Sequence, residues 1–328
     1  MATAGETRDG VSLTNLDQLL FDGAEATKRD LVDYLDAVHP MMLAAVRDRP
    51  LSVVRMLRDQ PPFMQKNLPK YTPDWVESVS LWAETSHREV TYALCNDRRT
   101  LLWFANQRAI EYHPTLVLAA DFAHPTHLVL DLDPPEAQDA GPGGFAAAAQ
   151  AALLVRQVLV DMGLDGAVKT SGAKGVHVFV PLDGALGTED VAAATRAVAA
   201  RAERLDPQLA TTAFIKADRG DRVFLDSTRA GGGTVVAAYS PRLRPGAPVS
   251  YPVGWADLTS VVPADFTIRN VPGLLGGVDR WAEAMPAPQA LPADLVAEGH
   301  TIPIARVQAM HEGKRRAKAR REQSGQQD

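Results

Sequence analysis

The stretch His127-Leu128-Val129-Leu130-Asp131-Leu132-Asp133 governs how the rest of the chain is read. Its strict alternation is that of a strand, in which successive side chains point to opposite faces. Leu128, Leu130 and Leu132 then share one face, and Val129, Asp131 and Asp133 the other. Pro134-Pro135 stops the strand, so the two aspartates stand near its end. Aspartate is depleted in strands, and two on one face repel each other unless a cation lies between them. Hard divalent ions, held by one or two carboxylates together with a substrate phosphate, meet that requirement. A solvated strand end is the plainer alternative.

Outward from this strand the pattern is mixed. Thr27 followed by Asp30 reads as a helix start, with Leu31, Tyr34, Leu35 and Val38 at helical spacing. Pro40 breaks or kinks that helix, and Met41, Met42 and Ala45 continue its pattern. Residues 52–56 and 90–95 read as strands, with a Pro-rich loop over residues 58–74 that holds Phe63, Lys66 and Lys70. Residues 101–108 read as helix and 110–113 as extended chain. A loop with Gly141, Gly143 and Gly144 leads into an apolar helix ending near Gly163. Strands at 168–170 and 176–180 flank a glycine-rich loop, and Thr188 caps a second Ala-rich helix that ends before Pro207. Further strands are expected at 212–216, 222–226 and 234–239. After Pro241 the chain is Pro-rich and loop-like, with a short helix near 278–284. Mixed strands and helices with neighbouring hairpins predict an α+β fold, not a regular doubly wound sheet.

Two other segments carry chemistry. In Ser171-Gly172-Ala173-Lys174-Gly175-Val176-His177 the glycines let the backbone approach a ligand, and the hydroxyl, backbone N–H groups and Lys174 can receive phosphate oxygens. His177 shares a face with Phe179, away from Val176 and Val178. The loop lacks the spacing of a Walker A motif. In Arg222-Val223-Phe224-Leu225-Asp226 a third aspartate ends a strand, on the face of Phe224 and Arg222. A third carboxylate is what a two-metal phosphoryl-transfer site needs beyond the first pair. Lys216, Arg242 and Arg244 flank that strand in sequence and could neutralise a triphosphate.

Composition sets outer bounds. The 328 residues are 46% hydrophobic and 23% charged, which excludes disordered and fibrous classes. One cysteine, Cys95, allows no internal disulfide and no cysteine-rich zinc site. The N-terminus has no apolar signal core, and no uncharged apolar run approaches the roughly 20 residues that span a bilayer. A soluble, cytoplasmic protein with no membrane partner is expected. The net charge is −6, which argues against a protein that coats duplex nucleic acid. Residues 306–328 hold seven basic and three acidic residues, so the remainder carries 27 basic and 37 acidic ones, a balance of −10. The run Lys314-Arg315-Arg316-Ala317-Lys318-Ala319-Arg320-Arg321 is either a solvated end or an arm that touches phosphates.

Taken together, Leu130-Asp131-Leu132-Asp133-Pro134, Thr170-Ser171-Gly172-Ala173-Lys174-Gly175-Val176-His177 and Val223-Phe224-Leu225-Asp226 closely resemble the primase-polymerase domain of bacterial DNA ligase D, within the archaeo-eukaryotic primase superfamily. Thr27-Lys28, Arg49-Pro50-Leu51-Ser52, Phe63 with Lys66-Asn67, Trp103-Phe104-Ala105-Asn106, Glu111-Tyr112-His113-Pro114 and the segment from Tyr239 to Ser250 add to the likeness, which runs over roughly residues 11–285. It implies a primase-type α+β core of mixed and antiparallel sheets with flanking helices. It divides the chain into a catalytic domain over 1–285 and an extension with a basic tail over 286–328.

The resemblance assigns roles. Asp131, Asp133 and Asp226 would bind two Mn²⁺ or Mg²⁺ ions. Ser171, Lys174, Gly175 and His177 would contact the nucleotide phosphates, with Lys216, Arg242 and Arg244 as further basic groups and His113 near the sugar. Lys28, Phe63 and Lys66 match the region that stacks on template DNA and holds a 5′-phosphate across a gap. The implied activity adds ribo- or deoxyribonucleotides to a primer and fills short gaps in DNA. With no room for a ligase domain, the chain resembles stand-alone actinobacterial primase-polymerases and is expected to act as a monomer. An end-joining polymerase working with a separate ligase and the Ku end-binding protein is the alternative within the class.

Two departures bear on nucleotide or template preference. Phe63-Met64 stands where the family has two aromatics, and Ser227 and Ala230 replace an aromatic and an asparagine after the third aspartate. Two other classes are weaker. A phosphatase using Asp131 as nucleophile would expect small or hydroxyl residues where Pro134-Pro135 stands, and would leave Asp226 and the Lys66 loop idle. A non-catalytic DNA-end binder would have no use for the aspartates. The acidic balance also softens on this reading, because three acids belong to a cation site and the phosphate-facing charges are few and local.

Overall fold

Thr27 opens a helix as its spacing predicts. Its hydroxyl accepts the Asp30 backbone N–H while the Asp30 carboxylate accepts the Thr27 N–H, a reciprocal cap. The computed structural model describes residues 6–58, 60–83, 87–135, 142–231 and 233–304, so the basic tail lies outside the described residues. Two short strands, β1 (Glu6–Arg8) and β2 (Val11–Leu13), precede that first helix, α1 (Lys28–Ala37). Pro40 does more than bend it: α1 ends, and Pro40 sits in the first turn of a new helix, α2 (His39–Val46), where the missing N–H is no loss.

The chain continues through β3 (Pro50–Arg55), β4 (Phe63–Gln65), β5 (Ser78–Ala83), β6 (Arg88–Leu94), α3 (Arg98–Asn106) and β7 (Ala109–Pro114). Then come β8 (His127–Asp133), α4 (Pro142–Asp161), β9 (Ala167–Thr170), β10 (Val176–Pro181), α5 (Thr188–Leu205), β11 (Ala210–Thr211) and β12 (Val223–Asp226). The last described elements are β13 (Pro252–Val253), α6 (Val271–Leu275), α7 (Arg280–Ala284) and α8 (Ala293–Thr301). The result is an α+β fold. One sheet runs β11-β12-β8-β10-β9-β13, and a second is built on β4-β3-β6-β5 with β7 paired to β3. Within these two sheets only β11 and β12 pair in parallel.

The strand that opened the sequence reading lies near the middle of the first sheet, between β12 and β10. Leu128, Leu130 and Leu132 are buried in the main core, where α4 and α5 cover them. Val176, Val178 and Val180 of β10 join them, as do Val223 and Leu225 of β12. The opposite face carries a smaller apolar group of Leu116, Val129, Phe179 and Val235, and then turns polar toward Asp131 and Asp133. One sheet therefore has one face for stability and one for chemistry.

Helix α4 passes the length and composition test for a membrane span, with a mean hydropathy of 1.2 over Gly144–Asp161. Half of that window is buried inside the protein, through Ala148, Ala149, Ala152, Val155 and Leu159 among others. Arg156 interrupts the run, and the helix serves as a core helix.

Several local expectations fail for identifiable reasons. Residues 58–74 contain a strand, β4, because Val53, Val54 and Arg55 offer it a free edge to pair with. Helix α5 starts at Thr188 but its cap is Gly187; the Thr188 hydroxyl instead donates to the Ala123 carbonyl. The strand expected over 212–216 stops at Thr211, where Glu203 binds both threonine hydroxyls, and Lys216–Asp218 forms a 3₁₀ turn. In residues 234–239, Val235 and Ala237 bond to Pro114 and Tyr112 of β7 without forming a regular ladder, and Ala238–Tyr239 then turn, with Tyr239 at a φ of 66°. Strand β5, α6 and α8 were not expected from the sequence.

Helix α8 packs directly on α5. Gly299 makes this possible, since a Cβ there would lie 1.9 Å from the Ala193 carbonyl oxygen. Arg201 clamps the joint through Glu298 at 2.6 Å. Gly299→Ala would gain roughly 1 kcal/mol in helix propensity but must force α8 off α5, an overpacking cost of roughly 1–3 kcal/mol or more. A net loss of stability is expected in urea titration, and a gain would show that this contact is loose.

Candidate active site

The site grows out of strand register. His177 lies opposite Asp131, Lys169 opposite His177, and Asp226 opposite Asp131. Directly opposed residues share a face, so β9, β10, β8 and β12 carry one continuous row: Lys169, His177, Asp131, Asp226. Phe224 opposes Asp133, which places Asp133 two residues along β8 on the same face. The three aspartates expected from sequence are thus brought together.

Each member of the row holds its neighbour. His177 Nε2 is 3.1 Å from Asp131 Oδ1, and His177 Nδ1 is 2.8 Å from Lys169 Nζ. Lys169 Nζ also donates to Ser250 Oγ at 2.6 Å, and that hydroxyl donates to the Thr170 carbonyl. On the other side, Arg229 Nη2 lies 2.6 Å from Asp131 Oδ2 and 3.1 Å from Asp226 Oδ2. Asp226 Oδ1 accepts both the backbone N–H and the hydroxyl of Thr228.

The electrostatics follow from burial against neighbours. Burial pushes Asp131 up, but His177 and the Arg229 guanidinium outweigh it and hold the carboxyl well below the usual range. Burial, with the Asp131 and Asp226 charges adding to it, pushes Asp133 up to about 6, against the pull of Arg229 and Lys174. Burial and Lys169 lower His177 to about 4, so at neutral pH the ring is uncharged. It then serves Asp131 as a hydrogen-bond donor, and the standing positive charge beside Asp131 is that of Arg229. Lys169 is fully buried and displaced well below its ordinary range by that burial, with Arg242 adding to it.

The glycine-rich loop sits against the end of β8. A Cβ at Gly175 would lie 2.4 Å from the Leu132 carbonyl oxygen, so only glycine allows this approach. Ser171 turns its hydroxyl into the loop, accepting the N–H groups of Ala173 and Gly175. Lys174 is close enough to Asp133 to favour its charged form. Lys174 and Arg244 line one cleft of about 470 Å³ together with Gly172, Pro248 and Thr267. Lys216 shares a smaller cleft of about 150 Å³ with Asp133, Pro134, Arg219 and Arg222.

Strand β7 contributes the rim. His113 Nε2 is 2.9 Å from Glu111 Oε2, and Arg242 Nε is 3.2 Å from Glu111 Oε1. Arg242 also donates to the Ser171 carbonyl, which ties this cluster to the glycine-rich loop. Burial raises the Glu111 carboxyl, but His113, Arg242 and the Leu243 N–H overcome it and bring it to about 2. Burial lowers His113, so the lasting charge partner of Glu111 is Arg242. A carboxyl depressed from 4.5 to about 2 stabilises the fold fully above pH 4.5 and loses that effect as pH falls through 2. Glu111→Gln is expected to cost on the order of 3 kcal/mol at pH 7. In urea titrations the gap between the two proteins should shrink as pH drops from 5 toward 3. A gap independent of pH would assign the loss to packing.

The residues expected to meet DNA lie apart from the row. Phe63 and Lys66 are exposed on and beside β4 in the second sheet, with the Arg55 guanidinium 6.0 Å from the Phe63 ring centre. Lys28 departs from expectation: it is buried, and its Nζ donates to the Thr14 carbonyl at 2.6 Å and to Asn106 Oδ1 at 2.7 Å. Burial, with Arg108 adding, brings it down to about 8. It ties α1 to α3 and presents no exposed charge.

Sequence reasoning missed Lys169, Arg229 and Glu111. Lys169 left a readable signal, a lysine between Val168 and Thr170 in a strand otherwise buried. Arg229 left none, because its role depends on a 3₁₀ turn that carries it back over β8.

Among the described residues, no three His, Cys, Asp or Glu side chains converge on one point as a ready-made metal cage. The donor chemistry nevertheless suits a hard divalent ion: three carboxylates on one face, with a guanidinium cation already drawn between two of them.

A family model described as the LigD primase-polymerase domain matches residues 27–281. The multifunctional non-homologous end joining DNA repair protein LigD of Mycobacterium tuberculosis is 35% identical over 271 residues, covering 79% of this chain and 34% of that protein. The bifunctional non-homologous end joining protein LigD of Bacillus subtilis is 32% identical over 266 residues, 80% of this chain and 42% of that protein. The chain therefore spans less than half the length of these curated relatives. The solved polymerase domain of Mycobacterium tuberculosis ligase D in complex with DNA superposes with a TM-score of 0.75 at 30% identity, covering 83% of this chain and 96% of that one.

Proposed function

Since the chain belongs to the LigD primase-polymerase domain family, whose members transfer nucleotides onto DNA, we propose that it is a metal-dependent polymerase that extends a primer across short gaps bearing a 5′-phosphate. The observation that carries this reading is the row of Asp131 and Asp226 with Asp133 on the same face, Asp133 lining a cleft together with Lys216, Arg219 and Arg222.

Asp131, Asp133 and Asp226 would hold the divalent ions, Mn²⁺ or Mg²⁺. When bound, such ions favour ionisation of the primer 3′-hydroxyl and neutralise charge on the triphosphate. The protein's own groups do the rest. Lys174 and Arg244 attract the polyphosphate into their cleft, and the rigid glycine-rich loop fixes its approach to the end of β8. His177, held in place by Lys169, keeps its Nε2–H toward Asp131 and fixes that carboxylate's orientation. Arg242, braced by Glu111, presents positive charge beside Ser171. Lys216, in the cleft that Asp133 lines with Arg219 and Arg222, adds positive charge there. A positioned, water-poor charge array of this kind suits phosphoryl transfer, which needs clamping and neutralisation more than acid–base groups.

The relatives are named for non-homologous end joining, which supports an end-joining setting for this chain; a separate ligase and Ku are the partners proposed for it there. A phosphatase reading finds no use for the row beyond Asp131.

Phe63 and Lys66 supply an exposed aromatic beside a cation, suited to base stacking and a phosphate grip. With Lys28 committed inside the fold, Lys66 carries the larger share of that grip. Lys66→Ala is expected to cut the preference for phosphorylated over unphosphorylated gaps about fivefold, equivalent to about 1 kcal/mol. Gap binding at low salt with the two downstream ends measures this, and an unchanged preference removes Lys66 from the role.

A further inference from the structure

Arg229 sits where the proposed chemistry needs a metal ion. Its guanidinium spans Asp131 and Asp226, the two carboxylates opposed across β8 and β12, at 2.6 and 3.1 Å. Both of those oxygens face the row. The other Asp131 oxygen is held by His177, and the other Asp226 oxygen by Thr228. The oxygens that Arg229 holds are therefore the ones left for a further cation.

Arg229 is not locked in place. Its Nε is buried without a hydrogen-bond partner, and its side chain is 30% exposed, which leaves a path to solvent. Its backbone belongs to the short turn Arg229–Gly231. No ready-made cage exists among the described residues while the guanidinium holds this position.

We infer that Arg229 is a resident counter-cation of the metal site: it holds Asp131 and Asp226 together in the metal-free protein and must withdraw before a divalent ion can bridge them. This rests on the proposed two-metal reading of the three aspartates. The physical reasoning is a competition. Without any cation, opposed carboxylates on one buried face repel and spread. A guanidinium prevents this through charge-assisted hydrogen bonds. A divalent ion carries twice the charge at shorter range and replaces it, but must first break those bonds. Arg229 thus preserves the site's shape at the expense of metal affinity.

The test is Mn²⁺ binding to the full chain at neutral pH without nucleotide, read as loss of the free-Mn²⁺ electron paramagnetic resonance signal. Arg229→Gln should bind Mn²⁺ at least about tenfold more tightly than wild type, and Arg229→Lys should fall between them. A crystal structure of the wild-type protein with Mn²⁺ should show the Arg229 guanidinium withdrawn from both carboxylates. Equal or weaker binding by a folded Arg229→Gln protein, or Mn²⁺ seated with both Arg229 contacts intact, overturns the inference and leaves the cation site standing. Wild-type binding that Asp131→Ala does not weaken overturns the two-metal reading as well.

Discussion

Asp226→Asn is expected to abolish primer extension, by roughly a thousandfold or about 4 kcal/mol in the reaction barrier, while leaving the protein folded. The substitution is chosen for what it spares. An amide oxygen at this position still accepts the Thr228 hydroxyl and backbone N–H, so the turn after β12 keeps its bonds. What disappears is one of three negative charges packed on a single face. Their mutual repulsion is visible in Asp133, pushed up to about 6 by burial and by the Asp131 and Asp226 charges. Removing one charge relieves that repulsion and gives up the 3.1 Å pair with Arg229, two opposed effects, so the thermal midpoint should change little. Loss of activity without loss of stability separates a reacting group from a structural one. A variant retaining a tenth of wild-type extension would show that Asp226 is not needed.

Lys169→Met is the second large effect, and it acts through two neighbours. Lys169 touches His177, and His177 touches Asp131. Methionine preserves the volume and removes both the buried amine and its hydrogen bonds to His177 Nδ1 and Ser250. Leaving that ring nitrogen without a donor costs about 1–3 kcal/mol, and relief of a buried amine, displaced well below its ordinary range, offsets it. Little net change in stability is expected. The ring, no longer fixed, presents its Nε2–H less often to Asp131, and groups that orient metal-site ligands are typically worth 10–100-fold in activity or metal affinity. Extension should fall by that factor at unchanged thermal midpoint. Full activity would end the functional row at His177.

The fold and the three aspartates were legible because both rest on period-two alternation. In His127–Asp133 and Val223–Asp226 the apolar face is continuous, so the polar face is known by subtraction. The register that sets Asp226 against Asp131 was not legible, since β8 and β12 are about 90 residues apart in sequence. The same holds for Lys169, whose meaning depends on lying opposite His177. Lys28 misled for the opposite reason: its sequence neighbourhood fits a phosphate ligand, yet Asn106, far along the chain, folds back to claim its amine. Strand β5 and helix α8 were invisible because their stability comes from pairing with β6 and from Gly299 meeting Ala193, not from local pattern.

The most direct measurement is primer extension by the wild-type protein on a gapped duplex with a downstream 5′-phosphate, titrated with Mn²⁺ in the presence of NTPs or dNTPs. A polymerase built on Asp131, Asp133 and Asp226 lengthens the primer by the size of the gap, and only when the metal is present. Release of phosphate from small esters with no lengthened primer at any Mn²⁺ concentration would contradict it.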